Sequence, residues 1–571
     1  MPPTTAGTGR TFARYDPGVD ARRSFPLLPL AVFLVALLIR LPGLGWGLKS
    51  DIRNASLHPD ETPNFGFSRG VNPVLGQLTP GFYSYGTLYL STLHIASDVA
   101  SGYTGGPKTK EGWSWNDPSK TDWGWVSRCI LAGRVVSVLA GASTALVAFL
   151  LACRISGRTA GLLAGAFIAI APAHVVHSRF QTPDVLASAL IGGALLFAVR
   201  TLESRDEKAR LSPTTWCGIL AGLSAGVKYT GILVLLALYA ALALRKNSDR
   251  LRQAFVATIV ALGAFLVTTP GVLLETPRFL HDFAFEMQHT ATGQELFFSG
   301  TSNGFVYHLT NLSMGIGLLL TLMGIAGIGW AAYRRHPWAI VLLAFLLPYY
   351  VLIGRAEVKY MRYTFPLYVG LAVGFGYAVS AAQRRGHWGK AAVASAIVGV
   401  GGIPGGGIHD ALPLTLGMMR EDPRDEAGRF LRAQTGTVGL ARDPWYWSAS
   451  LVPNGAAPRS YWPAIRSELS SSRVLYPLTP EGSQTYFDRT LFDAKPDRIA
   501  LSSFEFDYPE HLRGRSDLPP DEASRVAAAN AWVDRLRQEY AVERSFGIPG
   551  YGIEDMDYVR PTVTIWKRKT P

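Results

Sequence analysis

Cysteine and charge are scarce in this sequence. Three cysteines in 571 residues, Cys129, Cys153 and Cys217, are an odd number at no metal-like spacing. They exclude a disulfide framework and a zinc site of the usual ligand spacing. Charged residues make up 17% of the chain, well below the quarter found in soluble domains. No G-x-x-x-x-G-K-[ST] loop is present, so a nucleotide-phosphate cradle of that type is excluded. What the chain has instead is apolar material: 48% hydrophobic residues with 14 Trp, 27 Phe and 23 Tyr. That is too much to leave unburied, which excludes disorder. The length also argues against one soluble domain.

The formal net charge of +13 invites a reading as a nucleic-acid or membrane-surface protein. Its distribution decides. Residues 1–409 hold 34 Lys and Arg against 19 Asp and Glu, whereas residues 410–571 hold 21 against 23. The first part alternates apolar runs with short basic loops. The second is mixed and Pro-rich, and a boundary falls near Gly405 in GGIPGGGIHD.

The first apolar run, 25–48, is long enough to cross a bilayer and follows Arg10, Arg14, Arg22 and Arg23. No small-residue cleavage site follows, so it reads as a retained anchor. Further runs lie at 129–152, 159–173, 185–201, 214–227, 229–244, 254–274, 305–332, 338–354, 364–380 and 391–408. The expectation is a polytopic α-helical membrane protein of about eleven spans. Residues 1–24 form a cytoplasmic tail, 25–408 a transmembrane module with a first outer loop at 49–128, and 409–571 a C-terminal domain.

Parity supplies orientation. The loops before and after Trp216–Leu244 are both basic, with Arg200, Arg205, Lys208 and Arg210 before it and Arg245, Lys246, Arg250 and Arg252 after it. The positive-inside rule puts both in the cytoplasm, so the stretch crosses twice, with Lys228 and Tyr229 at an outer apex. The same reasoning turns HVVHSRFQTPD (174–184) outward. The C-terminal domain then lies outside the inner membrane, and the positive charge reports topology rather than a nucleic-acid patch.

Four polar clusters fall on the outer side. LHPDE contains His58, Asp60 and Glu61: adjacent acids suited to a general base or a metal, or simply to a helix N-terminus. HSRFQTPD contains His177, Arg179 and Asp184, and Asp184 could equally cap the following helix. GVKYTG places Lys228 in apolar surroundings, where a cation needs an anion or must snorkel to the headgroups. IGRAEVKYMRYTFP places Arg355, Lys359 and Arg362 at i, i+4 and i+7, on one face if the segment is helical. Three such cations suit a phosphate or lipid headgroups. Arg40, late in the first run, could join them. Together the clusters point to a lipid carrying a phosphate, its tail in the membrane and its headgroup outward.

The order LHPDE, NPVLGQLTPGFYSYGTLYL, SRFQTPD, GLSAGVKYTGILVLL and VKYMRYTFPLY resembles the protein O-mannosyltransferase-like family. These are polytopic GT-C glycosyltransferases, a group that includes the lipid A aminoarabinose transferases. The resemblance covers roughly residues 25–380. It implies inverting transfer of a sugar from a polyprenyl-phosphate donor, with membrane lipids around the enzyme. The acceptor class stays open among glycan, lipid and protein. The C-terminal domain does not look like the sugar-binding repeats of the eukaryotic O-mannosyltransferases, so a protein acceptor does not carry over. The resemblance makes Asp60 and Glu61 the catalytic acids. It gives Asp184, Arg179, His58 and Tyr85 to the substrate, and Lys228, Tyr229, Arg355, Lys359 and Arg362 to the lipid phosphate. No cofactor is implied; a divalent metal is possible but not favoured. The rival reading is a lipid-linked sugar or lipid-phosphate transporter, since charges beside broken helices also line translocation routes.

Trp113, Trp115, Trp123 and Trp125 read as an interfacial belt. The C-terminal domain reads as α/β or α+β, with helices at 424–434 and 521–540. Its strands are expected in TVGLAR, RIALSSF and TVTIWKR.

Overall fold

A computed structural model describes residues 27–101, 121–203, 212–245, 248–293, 296–383, 386–387, 389, 391, 393–396, 406–441, 446–451, 474–475, 490–547 and 554–569. The basic tail, Trp113, Trp115, Arg205, Lys208, Arg210, Lys246 and most of the 391–408 run lie outside the described residues.

The apolar runs form helices, as their length and composition require. Among the described residues, five are long and apolar enough to cross a membrane: Trp123–Ser156, Pro183–Glu203, Arg250–Thr268, Pro337–Gly354 and Met361–Gln383, the last opening with a 3-10 turn. Shorter apolar helices are Leu27–Arg40, Arg158–Ile170, Tyr229–Arg245 and Leu318–Tyr333. We label the elements that matter for the site: α1 (Leu27–Arg40), α2 (Glu61–Ser68), α3 (Trp123–Ser156), α4 (Pro172–His177), α5 (Pro183–Glu203), α6 (Pro213–Val227) and α7 (Thr276–Thr292). α6 starts cleanly because Ser212 Oγ accepts the Thr215 N–H and Pro213 occupies the first turn.

The helices differ from the sequence expectation in length and continuity. Among the described residues of the first run, 27–40 are helical; the chain turns from Leu41 to Gly47. The 305–332 run breaks into Gly304–Ile316 and Leu318–Tyr333 at Gly317, whose φ is +122°. A Cβ on Gly406 would lie 2.1 Å from Gly317 Cα, so two glycines allow the C-terminal connection to cross the break. At 34 residues, α3 is about 50 Å long and outruns the ~30 Å hydrocarbon core. Its first turns carry Trp123, which is buried, and Trp125, which donates to Ser101 Oγ and packs edge-on to Phe65. Both rings are packing residues rather than a belt. The stretch Trp216–Leu244 does divide at Lys228, which has extended backbone between α6 and a 3-10 turn over Tyr229–Val234.

Beyond Asp422 the chain builds a small α/β body. Its strands are β1 (Val438–Leu440), β2 (Val474–Leu475), β3 (Arg498–Ser502), β4 (Tyr540–Phe546) and β5 (Val563–Arg568). Their order is β2-β1-β3-β5-β4, with β1 parallel to β2 and β3, and β5 antiparallel to β3 and β4. The three expected strands and both expected helices, Pro423–Ala433 and Pro520–Glu539, are present. One face of the sheet packs under Pro520–Glu539 through Leu501, Trp532 and Leu536. The other shares a core with the membrane module: Leu431, Leu440, Val563 and Ile565 pack with Phe65, Trp123, Val126 and Ile130.

Ion pairs fasten the same junction. Arg53 makes a two-pronged contact with Asp425, at 3.0 and 3.1 Å, with both side chains 8% exposed. Trp46 Nε1 donates to Asp422, which also holds Arg424. Arg53→Ala strands a buried carboxylate and should weaken docking by about 3–5 kcal/mol, whereas removing both partners should cost far less. Thermal unfolding and limited proteolysis of the purified chain would measure it.

Buried histidines supply a second expectation. Burial holds His58 down to about 4 and His177 to about 3, so both are neutral when folded. Unfolded, each takes a proton near its ordinary pKa of about 6.5, so the unfolded state binds more protons below that pH. Stability should therefore fall as pH drops from about 6.5 towards 4. His177→Phe, in its aromatic surroundings of Phe180 and Phe365, should flatten that slope in melting curves taken against pH.

Candidate active site

Asp60 stands at the entrance of α2, the position the sequence allows for a helix cap. Its side chain makes no capping bond, however, and its carboxylate is 28% exposed. The neighbouring Glu61 is different. It is fully buried, with Arg134 Nε and Nη2 at 2.8 and 2.7 Å on its two oxygens, and it also accepts from Ser56 Oγ and the Gln181 N–H. Burial opposes its charge, but Arg134 outweighs that and holds the carboxyl below its usual range. The adjacent acids therefore separate into one open carboxylate and one closed one.

Three further elements bring charges to Asp60. Arg362, on the 3-10 turn Met361–Thr364, places Nη1 3.0 Å from Asp60 Oδ2 and Nε 3.8 Å from Asp184 Oδ2. Asp184, in the first turn of α5, is 4% exposed and receives Lys228 Nζ at 2.7 Å. Asp184 is thus paired across the fold rather than used as a cap. Lys228, at the break after α6, lies 4.3 Å from the Tyr363 ring centre, and Arg362 lies 4.5 Å from that of Tyr360. The result is an alternating series: Lys228, Asp184, Arg362, Asp60. Tyr85 borders it, its phenol raised well above the ordinary range by burial and then by the Asp60 charge.

Other nominated residues lie elsewhere. The 355–360 segment is not helical, so Arg355, Lys359 and Arg362 share no helix face. Arg355 is exposed after Pro337–Gly354. Lys359 is buried and donates to Thr301 Oγ1 and Ser302 O, both at 3.1 Å, with Glu357 at 3.4 Å. Arg179 is buried and bonded to the carbonyls of Ile39 and Arg40 and to Thr415 Oγ1, which makes it a brace between α1 and the helix Gly407–Met418. Arg40 is likewise spent on Ser178, His174 and the carbonyls of Ala36, Ile168 and Ala169. Tyr229 Oη donates to the carbonyls of Tyr83 and Tyr85, at 2.8 and 3.0 Å, fastening that loop. His58 is buried below Asp60, and its Nδ1 accepts the Asp60 N–H at 3.2 Å.

The sequence offered no motif for Glu286, which the fold brings into electrostatic contact with Lys228, Arg362 and Asp60. Burial raises its carboxyl above the usual range. It sits on α7, whose inner face is docked by the Tyr83 N–H on Asp282, 3.0 Å, and by Tyr229 against Phe279 and Phe283. Leu280, Phe285 and Met287 on the same helix are exposed. A helical period in 276–292 was the available signal. Among the described residues no group of three or more His, Cys, Asp or Glu side chains could hold a metal ion. What the site offers is two cations and a partly exposed carboxylate in contact, the kind of groups that suit an anion and a proton transfer.

Residues 127–273 match the family model described as dolichyl-phosphate-mannose-protein mannosyltransferase. No curated protein matches the chain. Among solved structures it is similar to ArnT from Cupriavidus metallidurans bound to undecaprenyl phosphate, with TM-score 0.47 and 16% identity over 94% of this chain and 97% of that one. It is also similar to the apo oligosaccharyltransferase of Archaeoglobus fulgidus, with TM-score 0.46 and 15% identity over 72% of this chain. It spans 58% of that archaeal protein, less than two thirds of its length. A third is the S. cerevisiae Pmt1–Pmt2 complex bound to the sugar donor, with TM-score 0.30 and 18% identity over 50% of this chain and 37% of that one. The family match runs through the helices that present Asp184 and Lys228, and over residues 127–273 the chain is similar to the dolichyl-phosphate-mannose-protein mannosyltransferases.

Proposed function

We propose that the chain transfers a sugar from a polyprenyl-phosphate-sugar donor to a hydroxyl acceptor, with inversion, at the outer face of the cell's inner membrane. The observation that supports it best is the series Lys228, Asp184, Arg362, Asp60, whose last carboxylate is partly open while its cations border apolar helices. The prenyl tail lies among the helices. The donor phosphate takes Lys228 and Arg362, in exchange for part of their pairing with Asp184 and Asp60. The acceptor oxygen attacks the anomeric carbon from the side opposite the phosphate, and the carbon–oxygen bond to phosphate breaks with its electrons leaving on the phosphate. Asp60 takes the hydroxyl proton. Lys228 and Arg362 offset the charge that builds on the departing phosphate, where preorganised cations act most strongly. A single displacement inverts the anomeric centre.

Glu61 is a positioning residue on this reading, because its oxygens are already engaged. Asp184 keeps Lys228 and Arg362 oriented, and Tyr85 and Glu286 border the sugar. Lys359 and Arg355 have no direct part. The C-terminal body lies on the same outer side, over the first loop.

The test uses the purified full chain in nanodiscs, with a set of polyprenyl-phosphate monosaccharides and cell-envelope extract as acceptor source. Released polyprenyl phosphate is the readout. Asp60→Asn should lower turnover by roughly 10²–10⁴-fold while leaving polyprenyl-phosphate binding intact. Lys228→Met should weaken that binding. An Asp60→Asn protein with full turnover would overturn the assignment, and flux of lipid-linked sugar without bond turnover would favour transport.

Orientation has its own check in a variant with the three cysteines replaced. A cysteine at the exposed Glu357 should react with an impermeant maleimide on intact cells. One at Arg334 should react only after permeabilisation.

A further inference from the structure

The Asp60 side chain makes no capping bond, its carbonyl accepts the Asn64 N–H at 2.9 Å, and Pro59 precedes it in a short turn. Its N–H is held by the ring of His58, whose Nδ1 accepts it at 3.2 Å. Ser56 Oγ accepts the His58 N–H at 3.1 Å and donates to Glu61, so the turn is closed from below. An imidazole accepts at Nδ1 only while that nitrogen is unprotonated. Burial achieves this and holds His58 down to about 4, against Asp60 and Glu61, which favour protonation, and with Arg362 and Arg134, which oppose it.

Two rings set the orientation of that imidazole. Phe180, from the membrane module, lies 4.5 Å away centre to centre, tilted by 43°. Tyr558 lies 5.3 Å away and meets it edge-on at 89°. Tyr558 comes from the far end of the chain. It also contacts Phe180, at 5.8 Å, and His177, at 6.5 Å. With Met556 and Val559 it is part of the core formed by the membrane helices rather than of the sheet's own core. Its backbone carbonyl receives Arg424 Nη2 at 2.7 Å. Arg424 is itself paired with Asp422, the acceptor of Trp46 Nε1. The segment Glu554–Val559 is therefore inserted and locked, not merely leaning on the surface.

We propose that Tyr558 of the C-terminal body is a positioning residue for Asp60, acting through the ring of His58. The proposal rests on the reading of Asp60 as the base. Without the Tyr558 edge the imidazole gains a second orientation, the Asp60 N–H loses its acceptor, and the carboxylate no longer meets both Arg362 and the incoming hydroxyl in one geometry. The catalytic module thus borrows a part of its active-site floor from a segment some five hundred residues downstream in sequence.

The experiment compares Tyr558→Leu, which keeps most of the buried volume, with Tyr558→Phe, which keeps the ring. Both are made in the full chain in nanodiscs, with folded fraction read by thermal unfolding. Tyr558→Leu should lower kcat roughly 10–100-fold at an unchanged donor KM, since displacement of a reacting group by about 1 Å costs that much. Tyr558→Phe should restore it. In a His58→Ala background Tyr558→Leu should cost little more, because both act along one line. A Tyr558→Leu protein with wild-type kcat, or one whose loss is the same with and without His58, would overturn the proposal. Asp60→Asn run alongside separates the two failures: an inactive Asp60→Asn with an unaffected Tyr558→Leu overturns the inference alone, and an active Asp60→Asn overturns the reading beneath it.

Discussion

A charge inside an apolar helical body must find a counter-charge or a ring of carbonyls, because desolvation costs more than packing returns. The site's position follows from how one such charge, Arg134, is satisfied. It projects from the long helix Trp123–Ser156 and collects both oxygens of Glu61 and the carbonyls of Leu44 and Trp46. Glu61 in turn takes the Gln181 N–H. One guanidinium therefore draws together the turn after the first helix, the LHPDE turn and the segment before Pro183–Glu203. Asp60 is placed by what its neighbour does.

The charged groups divide into two kinds by exposure. Arg134 and Glu61 are 0% exposed, and nothing from solvent reaches them. Lys228, Arg362 and Asp60 are 23%, 16% and 28% exposed, and only Asp184 among that series is closed off at 4%. Pairs of the first kind hold the fold; separating them strands a charge. Pairs of the second kind are exchangeable, since a phosphate entering beside them replaces one anion by another without leaving a cation bare. That contrast is what makes the series a substrate seat on the proposed reading, rather than one more brace.

Much of this was legible in the sequence, for physical reasons that differ by residue. The apolar runs announced their helices because a bilayer-length stretch with so few charges has no other stable form. Lys228 stood out because ionised groups in such runs are rare, whereas Asp184, in an outward polar segment, could equally be read as a helix cap. The three C-terminal strands followed from their alternation and β-branched content. Lys359 and Arg355 part from Arg362 because a shared face presupposes a helix, and Arg362 alone of the three lies on the 3-10 turn. Glu61 looked equivalent to Asp60 because adjacency says nothing about which carboxylate a distant arginine will claim. Arg40 and Arg179 were indistinguishable from substrate ligands until the carbonyls they satisfy were in view. Glu286 had no signal beyond a helical period, since its approach to Lys228 depends on where its helix docks.

The shift in composition near Gly405 does not divide the cores. Leu414 and Met418, beyond that shift, still pack in the core of the membrane helices, and the sheet beyond Asp422 buries one face against Phe65, Trp123 and Ile130. Arg53 and Asp425 close that junction in a setting where neither charge has water to fall back on. A body joined in this way cannot rock freely over the site, because any tilt would expose shared apolar surface and part a buried ion pair at once. Its geometry is then as fixed as that of a helix in the bundle, and a ring it inserts beneath Asp60 is held to the same tolerance. Rigid docking is what allows Met556, Tyr558 and Val559 to serve as part of the membrane module's core, and it is why the end of the chain belongs in any physical account of its beginning.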